Sequence, residues 1–184
     1  MFFLRVLAGL CLLSAIGCAS NPQAELPPIT TVASVDLERF SGRWYVIANI
    51  PTFLEKKAWN ATEDYALIDA TTIDTTFAYN KGAFDGPRKT WTPVATVRAG
   101  TGNAVWDMQF VWPFKAEYRV IWLDADYSVT MIGRSKRDYV WIMARQPEID
   151  AALRERLEAF LVAEGYSLAK LRNVPQDGEP RPIK

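Results

Sequence analysis

Eight short apolar runs, separated by turn residues, fill the chain between Phe40 and Arg145, and no long helical period interrupts them. They are Gly42–Asn49, Trp59–Ile68, Ile73–Asn80, Thr90–Arg98, Val105–Trp112, Tyr118–Leu123, Ser128–Gly133 and Tyr139–Arg145. Lys81-Gly82, Asp85-Gly86-Pro87, Gly100-Thr101-Gly102 and Trp112-Pro113 punctuate them, and such residues favour turns for backbone reasons. Runs this short and this evenly connected argue for an antiparallel sandwich or an up-and-down barrel. One connection is longer: Pro51 to Ala58, apolar and then basic, follows the first run.

Side chains alternate across a strand, so each run also predicts its faces. In the first, Trp44, Val46 and Ala48 share one side and Tyr45 and Ile47 the other. Both sides are apolar, as a wall needs when it has a core within and a helix outside. Trp106, Met108, Phe110 and Trp112 form one side of the fifth run, and Tyr118, Val120 and Trp122 one side of the sixth. In the eighth, Tyr139, Trp141 and Met143 oppose Val140, Ile142 and Ala144, again apolar on both sides. The covering helix follows directly. Pro147 suits its start, Glu148 and Asp150 put negative charge in its first turn, and Gly165 suits its end. Ile149, Leu153, Leu157, Phe160 and Leu161 make its apolar stripe, while Arg154, Glu155 and Glu158 face water. Tyr166 to Val174 offers one more extended segment before a polar tail over 176–184.

The first residues read as a leader rather than as fold. Arg5 is a minimal positive region, Val6 to Ile16 is apolar but too short to span a bilayer, and Ala15-Ile16-Gly17-Cys18 ends it. This is either an ordinary signal peptide or, with its cysteine after small residues, the lipobox that bacterial lipoproteins carry. In the second case residues 1–17 are removed, Cys18 is acylated, 18–34 is a proline-rich tether and 35–175 is the domain. Cys11 then leaves with the leader and Cys18 is blocked, so the mature domain has no disulfide and relies on packing. Several chemistries are disfavoured by composition. Among 184 residues, 21 Lys and Arg balance 21 Asp and Glu, which offers no field to nucleic acid. Histidine is absent, which weighs against Ser-His-Asp, Cys-His and imidazole–metal chemistry. No cofactor and no metal is called for.

A filled β core is ordinarily built from aliphatic residues and Phe. The predicted inner faces here are rich in Trp, Tyr and Met, with Glu63 and Asn80 among them. Trp and Tyr carry polar tips that need partners, and Met adapts to irregular shapes. Such an interior fits a small barrel that holds one ligand. It equally fits a dense aromatic core with no cavity.

Three motifs decide between these by resemblance. Gly42-Arg43-Trp44 opens the first run, Asp124-Ala125-Asp126-Tyr127 lies between the sixth and seventh, and Arg145 closes the eighth before the helix. In that order and spacing they resemble the signatures of the lipocalins, specifically the bacterial outer-membrane lipoprotein type, over Val35 to Val174. Asn80-Lys81-Gly82 and Asp138-Tyr139-Val140-Trp141-Ile142 add to the likeness; Ala125 where threonine is usual, and the missing disulfide, depart from it. The resemblance implies a mainly β fold, an eight-stranded antiparallel up-and-down barrel with one C-terminal α-helix packed outside. It implies that Gly42, Trp44, Asp126, Tyr127 and Arg145 are structural, with the Arg145 guanidinium on the Trp44 ring, a cation–π contact of about 0.5–2 kcal/mol.

It also implies a membrane-anchored protein that binds or transports a small amphipathic lipid, a fatty acid or lysophospholipid. The strand faces then put the acyl chain against Val46, Tyr65, Trp106, Met108, Phe110, Val120, Trp122, Met131, Tyr139 and Trp141. Glu63, Asn80 and Tyr118 would fix its orientation. Phe53 and Leu54 would form a lid at the open end, where Lys56 and Lys57 either meet an anionic head group or stay solvated. Ala19 and Ser20 after Cys18 point to the outer membrane, on its periplasmic side. A homodimer is left open. The rivals are a structural or assembly lipoprotein with a filled barrel and, further off, an enzyme limited to carboxylate or tyrosine chemistry.

Overall fold

In the computed structural model of the chain, residues 26–178 are described; the leader, Cys18 and the last six residues lie outside them. Strand β1 (Gly42–Ile50) pairs antiparallel with β2 (Ala58–Leu67), which pairs with β3 (Thr72–Lys81). The fourth wall strand comes in two pieces, β4 (Arg88–Trp91) and β5 (Val94–Val97), both paired with β3. The expected single run Thr90–Arg98 breaks at Pro93, which has no N–H to give to a ladder. Then β6 (Val105–Val111), β7 (Phe114–Leu123), β8 (Val129–Gly133) and β9 (Val140–Ala144) follow as neighbours. Pairing of β9 with β1, from Tyr45 opposite Ala144 to Ile50 opposite Val140, closes the sheet. The result is an eight-stranded antiparallel barrel with β4 and β5 sharing one position. A last short strand, β10 (Arg172–Asn173), adds outside the ring on β1.

Alternate connections lie at opposite ends of such a barrel. The β2–β3, β5–β6 and β7–β8 turns share one end with a short helix α1 (Leu37–Phe40). The β1–β2, β3–β4, β6–β7 and β8–β9 connections share the other. These are the closed and open ends below.

Helix α2 (Ala151–Ala163) follows β9 and lies on the outside of the wall. It starts later than Pro147 because Asp150 caps it, its side chain accepting from the Leu153 N–H at 2.8 Å. Gly165, at φ +87°, ends it in a conformation that other residues resist. Leu157 and Leu161 are fully buried against Ala48, Ile121, Met131 and Ile142. At about 1.5–3 kcal/mol for each buried Leu, this stripe fixes the helix to the sheet.

Strict alternation fails at four places, and two of them lie under α2. The pairing of β1 with β9 slips between Val46 and Ala48, and that of β7 with β8 slips between Val120 and Trp122. Each slip is a β-bulge, which puts consecutive residues on one face. So Ile47 and Ala48 both face outward, as do Ile121 and Trp122, and Ala48 does not share the side of Trp44 and Val46. Residues 26–34 run along the wall, mostly exposed but tied to it: Ile29 is buried, and Val32 donates its N–H to the Val120 carbonyl at 3.0 Å. The start of the tail is packed too, with Gln176 Nε2 donating to the Val46 and Ala61 carbonyls at 2.8 and 3.0 Å.

Candidate functional site

The closed end is built first in the sequence and explains where the site stops. Gly42 takes φ +90° at the turn into β1, which points Trp44 into the barrel floor. Trp44 is fully buried, and its Nε1 donates to the Phe40 carbonyl at 2.8 Å. The Arg145 guanidinium lies 3.9 Å from the Trp44 ring centroid. It also donates to the carbonyls of Arg39, Phe40, Ser41, Arg43 and Tyr127 at 2.7–3.3 Å. One cation thus ties α1, β1 and the β7–β8 turn together. Tyr127 takes φ +60° in that turn and lies under the Arg39 guanidinium at 4.1 Å. The turn's own hydrogen bonds come from Asp124, which accepts from Ser128 and Val129 N–H at 2.7 and 3.1 Å. Asp126, the residue expected to matter there, is exposed.

Above this plug the aromatic rings stack in a second layer. Trp106 and Tyr118 are parallel at 4.8 Å, Phe40 meets Trp106 edge-on at 5.3 Å, and Tyr65 leans on both Trp106 and Tyr118. The lower barrel is therefore filled by its own side chains.

The upper barrel is hollow. A cavity of about 520 Å³ opens at the open end, walled by Phe77, Trp91, Met108, Phe110, Phe114, Tyr139 and Trp141 among others. Phe53 and Leu54 of the β1–β2 loop border it, and Lys115 and Arg134 are the cations on its lining. Its polar groups sit deep. Glu63 is buried; its Oε2 accepts from the Tyr65 hydroxyl, which in turn shares a hydrogen bond with that of Tyr118. Burial, then the nearby Glu55 and Asp64, push the Glu63 carboxyl up to about 8. Burial and the Glu63 carboxyl likewise push the Tyr118 phenol well above its ordinary range. Thr75 and Trp91 also lie on the lining, but Thr75 Oγ1 and Trp91 Nε1 are turned away from the hollow, buried with no hydrogen-bond partner among the described residues.

Of the residues expected to touch a ligand, Glu63, Met108, Phe110, Tyr118, Tyr139 and Trp141 come together on this lining. Val46, Tyr65, Trp106 and Val120 also face inward, but they belong to the packed layer below. Trp122 and Met131 are not inside: they join the cluster under α2. The bulge at Ile121 turned Trp122 outward, and in β8 the inward residue is Ile132. Asn80 is buried at the β3–β4 turn, where it holds the Phe84 carbonyl and accepts from Arg88 at 3.2 Å. Trp112 stands in solvent beyond the end of β6, past another register slip between Met108 and Val111. Lys56 and Lys57 are exposed and off the lining.

Sequence reasoning missed Glu55. In Glu55-Lys56-Lys57 it looks like one more solvated charge, yet it is buried on the cavity lining. It accepts from Asn49 Nδ2 and Trp141 Nε1, both at 2.9 Å, and from Thr52 Oγ1 at 3.1 Å. Burial raises its carboxyl above the usual range, against the pull of those three bonds. Through them it latches the β1–β2 loop across the mouth, helped by Tyr79, whose hydroxyl donates to the Leu54 carbonyl at 2.9 Å. Thr52 and Asn49 are near it in sequence, but their nearness does not signal burial, and Trp141 is 86 residues away.

A cup sealed by an indole and a guanidinium and hollow above them suggests a family, and comparison of the sequence settles it. The model of the lipocalin-like domain matches residues 35–176. The chain is a lipocalin. It is 31% identical to the outer membrane lipoprotein Blc of Citrobacter freundii over 183 residues, which covers 97% of this chain and 99% of that one. It is 28% identical to temperature-induced lipocalin-1 of Arabidopsis thaliana, with 85% of this chain and 87% of the relative covered. Among solved structures, insecticyanin from the tobacco hornworm Manduca sexta superposes on this lipocalin with a TM-score of 0.64. Identity there is 14%, with 80% and 84% of the two chains covered. At that identity the likeness speaks for the barrel alone.

Proposed function

We propose that this lipocalin carries one amphipathic lipid of the lysophospholipid or fatty-acid class in its upper barrel, and that it does so without turnover. The observation that carries the reading is the hollow itself. Its volume of about 520 Å³ falls within the roughly 300–1,000 Å³ of small-molecule sites, and its wall is aromatic and aliphatic. The acyl chain lies against Phe77, Met108, Phe110 and Phe114. An anionic head stays at the mouth, by Lys115 and Arg134, because the buried acid deeper down is the carboxyl of Glu63 and a carboxylate or phosphate beside it would be costly.

The hollow speaks against a scaffold with a packed barrel, and a chain without histidine offers little to an enzyme. The alignment with the Citrobacter freundii lipoprotein covers too much of the chain to leave out the leader. We therefore read Cys18 as the acylated residue that holds the barrel to the outer membrane, on its periplasmic side. Delipidated protein titrated with lysophospholipid and followed by native mass spectrometry should take up one molecule per chain, with a change in tryptophan emission. No uptake and no change in emission would remove the proposal.

A further inference from the structure

The open end turns large apolar groups to solvent as well as to the cavity. The β6–β7 hairpin ends in Val111, Trp112 and Phe114, which are 62%, 82% and 76% exposed, and Phe53 at the mouth is 77% exposed. Large aromatic groups clustered in solvent mark a surface that something else covers. Lys56, Lys57, Lys81, Lys115 and Lys136 are exposed in or beside the same set of connections. Of the acids there, Asp138 is paired with Arg134 at 3.3 Å and Glu55 is buried; Asp85 is exposed. The closed end differs in both respects: its rings are buried or, at Tyr127, half-buried under Arg39, and its exposed charges are mostly acidic, Asp36, Glu38, Asp69 and Asp126 against Arg39. Aromatic groups ringed by ammonium groups suit the head-group layer of an anionic bilayer, where rings sink to the acyl boundary and lysines meet phosphate.

The path of the chain supplies an independent argument. Leu26 packs at Gly165, and the Pro27 carbonyl accepts from Arg137 of the β8–β9 connection, so the described chain begins at the open end. From there it runs down the wall, through Val32 at Val120, to Val35 at Gly102 on the closed end. Cys18 stands eight residues ahead of Leu26, a reach of at most about 28 Å. A barrel with its mouth to the membrane asks nothing of that reach. Turned the other way, Leu26 would stand a barrel's height above the surface, and the segment would be drawn close to full extension.

We propose that this lipocalin docks mouth-down on an anionic phospholipid bilayer, its Val111–Phe114 hairpin and Phe53 in the head-group layer and its lysines on the phosphates. A lipid then passes between bilayer and cavity without crossing water. That consequence rests on the lipid-binding reading above, but the docking does not. The test labels the membrane-anchored protein with a polarity-sensitive dye at Trp112→Cys or, as a control at the closed end, Asp126→Cys. In phosphatidylglycerol-containing vesicles the dye at 112 should shift to the blue and be quenched by brominated lipid, and that at 126 should do neither. The Cys18→Ser chain, which has no anchor, should bind the same vesicles, more tightly as phosphatidylglycerol increases. Trp112→Ser with Lys56→Gln and Lys57→Gln, none of which lines the cavity, should weaken that binding about tenfold or more. This triple variant should still take up lysophospholipid supplied as monomer, while losing uptake from vesicles. Equal, water-like emission from both labels overturns the proposal. So does a shift at 112 that needs no vesicles and grows with protein concentration, which would assign the hairpin to a second copy of the chain. Failure of monomer uptake by the parent protein would strike the ligand reading alone and leave the docking to be judged by the labels.

Discussion

The two ends of this barrel are made from the same residue types and do opposite work. At the closed end Trp44 and Trp106 are fully buried, with their indole N–H groups donating to the Phe40 and Asn103 carbonyls at 2.8 and 2.6 Å. At the open end Trp141 borders the hollow with its Nε1 donating to Glu55 at 2.9 Å, and Trp112 stands in solvent. What separates them is packing. A paired indole tip is common to plug and wall, and a ring is core only where other side chains enclose it on every side. Arg145 makes the same point with charge. Its guanidinium covers an indole and feeds five carbonyls, whereas Lys115 at the mouth remains exposed. Aromatic content alone therefore does not tell a binding wall from a plug.

The sharpest way to break this contrast is to injure the closed end. Trp44→Ala should cost about 3–5 kcal/mol of stability, as large-to-small changes at fully buried aromatics do. Arg145→Met keeps the apolar stem but strands the carbonyls it served, at a cost on the order of 3 kcal/mol. Urea titration measures both. If the closed end is only a plug, lysophospholipid affinity per folded molecule should hardly move. A large loss of affinity from either variant would show that the two ends are not separable.

A second measurement probes the boundary between the filled and hollow halves, where Glu63 sits. Its carboxyl is pushed up to about 8 from the ordinary 4.5, so the folded chain holds that proton more tightly than the unfolded one. The contribution to stability is fully present below pH 4.5, declines as pH rises through the window to about 8, and is flat above it. The decline is about 1.4 kcal/mol per pH unit for one proton. Glu55, raised in the same direction by burial, adds to it. Glu63→Gln should remove the larger part of the slope, so the variant's gain over the parent grows between pH 5 and 8. Denaturant titrations at three pH values read that difference directly. A gain independent of pH would mean that Glu63 is already ionised and that water reaches it.

How much of this could be read from the residues follows the same division. The strand runs, the helix after the last of them and the pairing of Trp44 with Arg145 were legible, because periodicity and short motifs encode them. The inward faces were legible only where the pairing is regular. Met108, Tyr118, Tyr139 and Trp141 lie where alternation puts them, while Trp122 was misplaced because one extra residue at Ile121 reverses every face beyond it. Met131 was misread for a simpler reason: both faces of β8 are apolar, and nothing local says which one α2 covers. Pro93 announced the break in the fourth wall strand, and with it the position of Trp91 could have been found. Glu55 could not be, since its burial depends on Trp141, 86 residues away in sequence.

The mildest change gives the cleanest comparison, because the same bulk can be added to either half of one strand. Ala116 and Val120 both lie on β7, the first on the cavity lining and the second fully buried in the packed layer. Ala116→Phe projects a ring into empty space. It should leave stability within about 0.5 kcal/mol, as changes that disturb no packing do, and lower lysophospholipid affinity by about tenfold or more by taking up the volume an acyl chain needs. Val120→Phe adds its bulk where there is none to spare, and overpacking of that kind costs about 1–3 kcal/mol. Its direct effect on affinity should be small, since the layer it disturbs lies beneath the ligand. Thermal melts beside fluorescence titrations would separate the two variants. If both lose stability and neither loses affinity, the upper barrel closes in solution, and the distinction between plug and wall disappears with the cavity.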